Sequence, residues 1–215
     1  MIPIATIPAS EETMASIYDL KPRFQAFLRP LVVSLAKAGV TANMVTLAAL
    51  GLSLLAALLL AVSAGFKASL LLLPLVLFVR MALNAIDGML AREHDQKSQL
   101  GAILNEVADV LSDLALYLAL VPALAPYGAA AVPIVFFVIG AIITEFAGVL
   151  AQALGAGRRY DGPMGKSDRA FVIGTLAVAV ALFPIPWVAL DGIFVMLAIA
   201  TVLTAWKRCA AVLAA

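Results

Sequence analysis

Asn43-Met-Val-Thr-Leu-Ala-Ala-Leu-Gly-Leu-Ser-Leu-Leu-Ala-Ala-Leu-Leu-Leu-Ala-Val-Ser63 runs from end to end without a charged side chain. About 20 helical residues are what it takes to cross roughly 30 Å of hydrocarbon. The apolar residues follow one another unbroken instead of alternating in and out, so the stretch reads as a membrane helix and not as a barrel strand. Working outward, five further stretches read the same way, near 69–91, 101–122, 130–153, 168–185 and 186–206. The last two are separated only by Phe183-Pro184-Ile185-Pro186, a tight hairpin whose prolines stop a helix. The expected fold is all-α: a six-transmembrane-helix bundle over residues 41–215, preceded by a cytosolic or interfacial segment, residues 1–40.

The rest of the composition agrees. Hydrophobic residues make up 64% of the chain and charged residues 13%, and the mean hydropathy is +1.09. A soluble domain is roughly half apolar and about a quarter charged, so lipid is the solvent for most of this chain. A net charge of +1, unevenly spread, gives no reason to expect a nucleic-acid partner. The single cysteine, Cys209, excludes an internal disulfide and a cysteine metal cluster. Beside Lys207 and Arg208 it could be acylated, but an inert buried thiol is the expectation. Glu11, Glu12 and the lack of a long apolar run argue against a cleavable signal peptide.

Residues 16–40 differ in kind. Ile17, Leu20, Phe24, Leu28 and Leu31 recur at helical spacing with Lys21, Arg23, Arg29 and Lys37 between them. That pattern suits an amphipathic helix lying in the membrane interface, or a plain cytosolic lead-in helix. Pro22 and Pro30 would kink or divide it. Positive charge sets the expected orientation. Twelve of the 14 Lys and Arg residues fall before the first span, in the loops after the second and fourth, and after the last. The opposite side carries only Lys67, and Arg80 lies inside a span. Both termini and both polar loops are therefore expected in the cytoplasm, in keeping with an even number of spans.

Ionisable groups inside membrane helices are costly and tend to mark function. Arg80, Asp87, Glu106, Asp109, Asp113 and Glu145 lie within or at the ends of the spans. Arg80, Asn84, Asp87 and Ala91 step by three and four along one face of the second span. Gly101, Asn105, Asp109 and Asp113 step by four along one face of the third. Two antiparallel helices offering carboxylate and amide oxygens to each other suit a hard dication such as magnesium or manganese, able to bridge the oxygens of a diphosphate. Interhelical hydrogen bonds that merely hold a bundle are the bland alternative.

Asn84-Ala-Ile-Asp87-Gly88-Met-Leu-Ala91-Arg92, eight residues, then Gly101-xxx-Asn105-xxx-Asp109, resembles the signature of the CDP-alcohol phosphotransferase family. That signature reads D-x-x-D-G-x-x-A-R, eight or nine residues, G-x-x-x-D-x-x-x-D, and six of its eight fixed positions match. The Thr41-Ala-Asn43 start of the first span and the six-helix layout extend the likeness to most of the chain. The resemblance implies a commonly homodimeric enzyme in a bacterial inner membrane, with a cytoplasmic active site. Such an enzyme moves a substituted phosphate from a CDP-linked donor, such as CDP-diacylglycerol, to a small alcohol, with release of CMP. It further implies that Asn84, Asp87, Asn105 and Asp109 hold two divalent cations, Mg2+ or Mn2+. Gly88, Ala91, Arg92 and Gly101 would cradle the cytidine diphosphate, and Asp109 would serve as general base.

The chain departs from the signature at Asn84 and Asn105, each of which keeps a carbonyl oxygen but removes a negative charge. Three readings stand open. Glu106 and Asp113 compensate, or the site keeps a single cation, or it binds without turnover. The basic loop Gly157–Arg169 sits on the same side, and Lys166 and Arg169 are expected to meet an acceptor that itself carries phosphate. A topogenic role for that loop is equally open. The sole histidine, His94, reads as a surface residue, and Glu145 as an acceptor-pocket residue or the partner of Arg80. A non-catalytic CDP-lipid- or nucleotide-binding membrane protein remains the alternative. A small transporter is disfavoured, because the acids cluster at one face and no inverted repeat is present.

Overall fold

The computed structural model describes residues 21–214, and all regular structure among them is helical. In chain order the helices are α1 (Lys21–Lys37), α2 (Ala42–Val62), α3 (Lys67–Glu93), α4 (Gln99–Leu118), α5 (Leu120–Leu124), α6 (Ala131–Ala153), α7 (Lys166–Leu182) and α8 (Trp187–Leu213). A short 3-10 turn, Ala125–Tyr127, follows α5.

The boundaries follow local chemistry. Thr41 caps α2 by accepting from the Met44 amide, and Ser98 caps α4 by accepting from the Gly101 amide at 2.9 Å. Pro122 and Pro126 lack the N–H that would continue the ladder, so the third apolar stretch breaks at Ala119 into α4, α5 and the turn. Gly128, at φ 84°, ends that turn in the left-handed region, where a side chain would be strained. The hairpin after α7 forms where the prolines require it, with Phe183 ending α7 and Pro186 starting α8.

Among the described residues, five segments are long and apolar enough to cross a membrane: Ala42–Val62, Lys67–Glu93, Gln99–Tyr127, Ala131–Ala153 and Trp187–Leu213. The sixth expected span corresponds to α7, a helix of 17 residues whose first turn carries Lys166, Asp168 and Arg169. It rises about 26 Å, short of a full hydrocarbon crossing.

The expectation for residues 16–40 falls partly outside the described residues, since Ile17 and Leu20 precede Lys21. Within α1, Pro30 does not end the helix. Leu28 and Val32 are buried while Leu31 and Phe27 are exposed, so the inner stripe lies one residue on from the Leu31 register. That stripe rests on α3, with Phe24 edge-on to Phe78, and Arg29 grips Glu93 through both carboxylate oxygens.

Packing within the bundle is uneven in a way that matters for function. α6 lies tightly along α8, and α2 packs on both α3 and α4. A Cβ on Gly140 would come within 2.0 Å of Thr201 Oγ1, so this glycine sets the distance between α6 and α8. Ala147, also on α6, is buried inside the same chain. By contrast α3 and α4, joined by a loop of only five residues, make little close backbone contact. Polar side chains span the space between them.

Candidate functional site

Three rungs bridge α3 and α4 in antiparallel register. At the loop end, Asn105 Nδ2 donates to Asp87 Oδ2 at 3.2 Å. In the middle, Asn84 Nδ2 donates to Asp109 Oδ1 at 3.0 Å. At the deep end, Arg80 Nη1 donates to Asp113 Oδ1 at 2.5 Å, and its Nη2 donates to the Asp109 carbonyl at 3.1 Å. The helical steps that align these residues on each face also place each asparagine opposite an aspartate of the other helix. The four residues read as metal donors from the sequence are thus brought together, in two crossed amide–carboxylate pairs.

Neighbouring elements complete the site. Thr46, on α2, donates its hydroxyl to Asp87 Oδ2 at 2.8 Å, and Asp87 is 3% exposed. Asp109 is more open, its side chain 18% exposed, and Lys166 at the start of α7 forms an ion pair with its Oδ1. Asn43, also on α2, lies against Gly101, where a Cβ would stand 2.9 Å from Asn43 Oδ1. The Ala42 amide donates to Gln96 Oε1 at 2.6 Å, which ties the α3–α4 loop to the start of α2. Arg92 is exposed and folds back over Gly88, with Ala91 half-buried beside it.

Beneath the ladder lies a buried ionic network. Arg169 is fully buried: its Nη2 donates to Asp113 Oδ2 at 2.7 Å and to Glu145 Oε1 at 2.8 Å, and its Nη1 to Thr144 Oγ1 at 2.9 Å. Arg158 Nη2 donates to Glu145 Oε2 at 3.0 Å, while its Nη1 pairs with Glu106. Burial lowers the pKa of the Arg158 guanidinium from its ordinary value, since a cation loses hydration there. Arg208 bonds the Thr144 carbonyl and donates through Nε to the Asp161 carbonyl at 3.2 Å. The loop before α7 is pinned to α8, because a Cβ on Gly162 (φ 110°) would come within 2.7 Å of Thr204 Cα and the Met164 amide donates to Thr204 Oγ1.

Several expectations sharpen against this geometry. Arg80 pairs with Asp113, and Glu145 belongs to Arg158 and Arg169. Glu106 and Asp113, read as compensating acids, are both held by arginines. Of the two cations read as an acceptor pocket, Lys166 stands at the open edge beside Asp109, whereas Arg169 is enclosed. His94 caps α3 through its backbone, half-buried, and the Cys209 thiol expected to be buried is exposed. Thr46, Thr144 and Thr204 were not singled out in the sequence, and Arg208 was named there only as a neighbour of Cys209. Thr46 alone left a signal there, three residues after Asn43 on the face that meets the ladder.

As a donor set the ladder offers two carboxylates and two amides. Among the described residues no three carboxylate, imidazole or thiolate groups converge as a metal site of those groups alone would require. Turning each amide about its terminal torsion exchanges nitrogen for oxygen and would present four hard oxygen donors, which fit Mg2+ or Mn2+.

Comparison with known proteins gives the same frame. A solved structure of Mycobacterium tuberculosis phosphatidylinositol phosphate synthase PgsA1, in complex with manganese and citrate, superposes with a TM-score of 0.70 at 24% identity, covering 86% of this chain and 88% of that one. The form of the same protein with CDP-DAG bound superposes with a TM-score of 0.69, covering 85% and 92%. In sequence, the inner membrane protein YnbA of Escherichia coli (strain K12) is 49% identical over 201 residues, covering 92% of this chain and 96% of that protein. An uncharacterized protein of Aquifex aeolicus (strain VF5) is 35% identical over 109 residues, covering 51% and 53%. The family model for CDP-alcohol phosphatidyltransferase matches residues 39–206, which include every rung of the ladder, and the chain belongs to that family.

Proposed function

We propose that this chain transfers a phosphatidyl group from a CDP-linked lipid donor such as CDP-diacylglycerol to a small alcohol, releasing CMP, in membrane phospholipid synthesis. The observation that carries the reading is the position of Asp109. It is the partly accessible carboxylate of the ladder, and its closest contacts (Asn84 Nδ2, Lys166 Nζ and Arg80 Nη2 at 3.6 Å) all fall on Oδ1. Oδ2 is then the oxygen that takes the proton of an incoming hydroxyl. The hydroxyl oxygen bonds to the phosphorus that carries the lipid, the phosphoanhydride bond breaks, and CMP leaves with the electron pair.

Thr46 fixes the direction of Asp87, and Asn43 fills the space beside Gly101. Gly88, Ala91, Arg92 and Gly101 line the approach for the cytidine diphosphate, Arg92 offering its charge to the phosphates. Lys166 brings positive charge to the acceptor side of Asp109, and Arg169 positions that edge by holding Asp113 and Glu145. Asn84, Asp87, Asn105 and Asp109 would hold a divalent cation, which would supply charge to offset the diphosphate and the leaving CMP.

The proposed setting is a bacterial inner membrane, with six crossings including the short α7, α1 along the interface, and the site and both termini cytoplasmic. The twelve-to-one bias of positive charge supports that orientation, and the name of the Escherichia coli relative agrees with the membrane. Residues 41–215 form the catalytic domain and residues 1–40 its interfacial segment, with a second copy as partner in a homodimer. A binder of CDP-lipid without turnover is the second reading, favoured by the two amides that replace carboxylates in the ladder.

The test is CMP release by the purified protein in detergent, given CDP-diacylglycerol, Mg2+ or Mn2+, and a panel of free and phosphorylated alcohols. Release that requires one alcohol and vanishes in Asp109→Asn is the expected outcome. Measurable CDP-lipid binding with no release across the panel would sink the transferase and leave the binder.

A further inference from the structure

From the way the ladder neutralises itself we infer that this site holds one divalent cation and not two, with the Lys166 ammonium standing where a second positive charge would otherwise be needed. The inference rests on the proposed CDP-dependent site and adds to it the number of cations. Three observations carry it.

First, two adjacent dications repel strongly and are held together only by several surrounding negative charges. The ladder has two carboxylates, Asp87 and Asp109, each already bonded to an amide of the opposite helix. Second, the acids that could make up the deficit are committed elsewhere. Asp113 is shared by Arg80 and Arg169, Glu145 by Arg158 and Arg169, and Glu106 is paired with Arg158. Freeing any of these would take from a buried or half-buried guanidinium one of the carboxylates that compensate it, which is costly. Third, Lys166 is directed at Asp109 and not at open water. The loop before it is fixed to α8 by Gly162 and by the Met164–Thr204 hydrogen bond, so the ammonium is held beside the ladder.

The two rungs are therefore unequal. Asp87, with Asn105 and Thr46 around it and no side-chain cation within ion-pair distance among the described residues, is the centre of the single site. Asn84 and Asp109 contribute from the other side, and Lys166 shares Asp109 with the bound ion. A cation arriving there meets competition from the ammonium at one of its ligands. Removing Lys166 should therefore tighten binding.

Mn2+ binding followed by electron paramagnetic resonance tests this without reference to turnover. The whole chain in detergent should take up one Mn2+ and give the spectrum of an isolated ion. The Asn84→Asp/Asn105→Asp double variant should take up two, with the broadened spectrum of ions a few ångström apart. Lys166→Met should bind its single Mn2+ about tenfold more tightly, the effect of removing one nearby positive charge. Two Mn2+ per wild-type chain would overturn the inference, as would no Mn2+ at all, or an affinity unchanged or weakened in Lys166→Met. The wild-type count decides even where a variant fails to fold. One bound Mn2+ without CMP release would keep this inference and remove the transferase reading, and two with CMP release would do the reverse.

Discussion

Asp87 Oδ2 receives two hydrogen bonds, from Thr46 on α2 and Asn105 on α4, although Asp87 itself sits on α3. One carboxylate thus ties three helices together, and its direction depends on a hydroxyl that no motif flagged. Replacing that hydroxyl by a methyl group keeps the side chain's shape and removes about 1–2 kcal/mol of hydrogen bonding. Thr46→Val is therefore expected to reduce CMP release by about tenfold while lowering the melting temperature by only a few degrees. A melting temperature so far lowered that the unfolded fraction at the assay temperature accounts for the lost activity would make Thr46 a structural residue only. At this scale the sequence was informative about which side chains share a helix face and uninformative about their pairings. Helical spacing placed Asn84 and Asp87 on one face and Asn105 and Asp109 on another. It could not say that each amide would point its nitrogen across the gap, nor that Arg80 would choose Asp113 over Glu145. Such choices depend on the offset between two helices, which no spacing along one chain records.

At the scale of the elements, the first, second, fourth and fifth apolar stretches became single helices within about three residues of the expected ends, because a long apolar run in lipid has no other way to satisfy its backbone. The exceptions have local causes. Pro122 and Pro126 broke the third stretch, and the good helix formers Lys207, Arg208, Ala210 and Ala211 carry the sixth on to Leu213. Which helices pack closely was not legible, since small residues are common throughout this chain and only a few meet a neighbour. Gly140 is one that does. Gly140→Ala would drive a methyl group into Thr201, and overpacking of this kind costs about 1–3 kcal/mol. The melting temperature in detergent should fall, and adding Thr201→Ala should recover more than half of the loss. If the single variant melts like the wild type, α6 and α8 can part without cost and the close approach is not structural.

For the molecule as a whole, the proposed orientation can be read from its one thiol. Cys209 is exposed near the end of α8, next to Lys207 and Arg208. A membrane-impermeant maleimide should label it in inverted vesicles and leave it untouched in intact spheroplasts. Labelling in spheroplasts would reverse the orientation and put the ladder on the wrong side for a cytoplasmic nucleotide donor. The shortness of α7 has a consequence for the bilayer itself. After its charged first turn, α7 offers an apolar length of about 20 Å from Ala170 to Leu182, well below the usual hydrocarbon thickness. Lipid beside α7 would have to thin to match it, drawing the surrounding head groups inward toward Lys166 and Asp109. A donor diffusing in that leaflet would then find its diphosphate already lowered to the level of the ladder, its acyl chains never leaving the membrane.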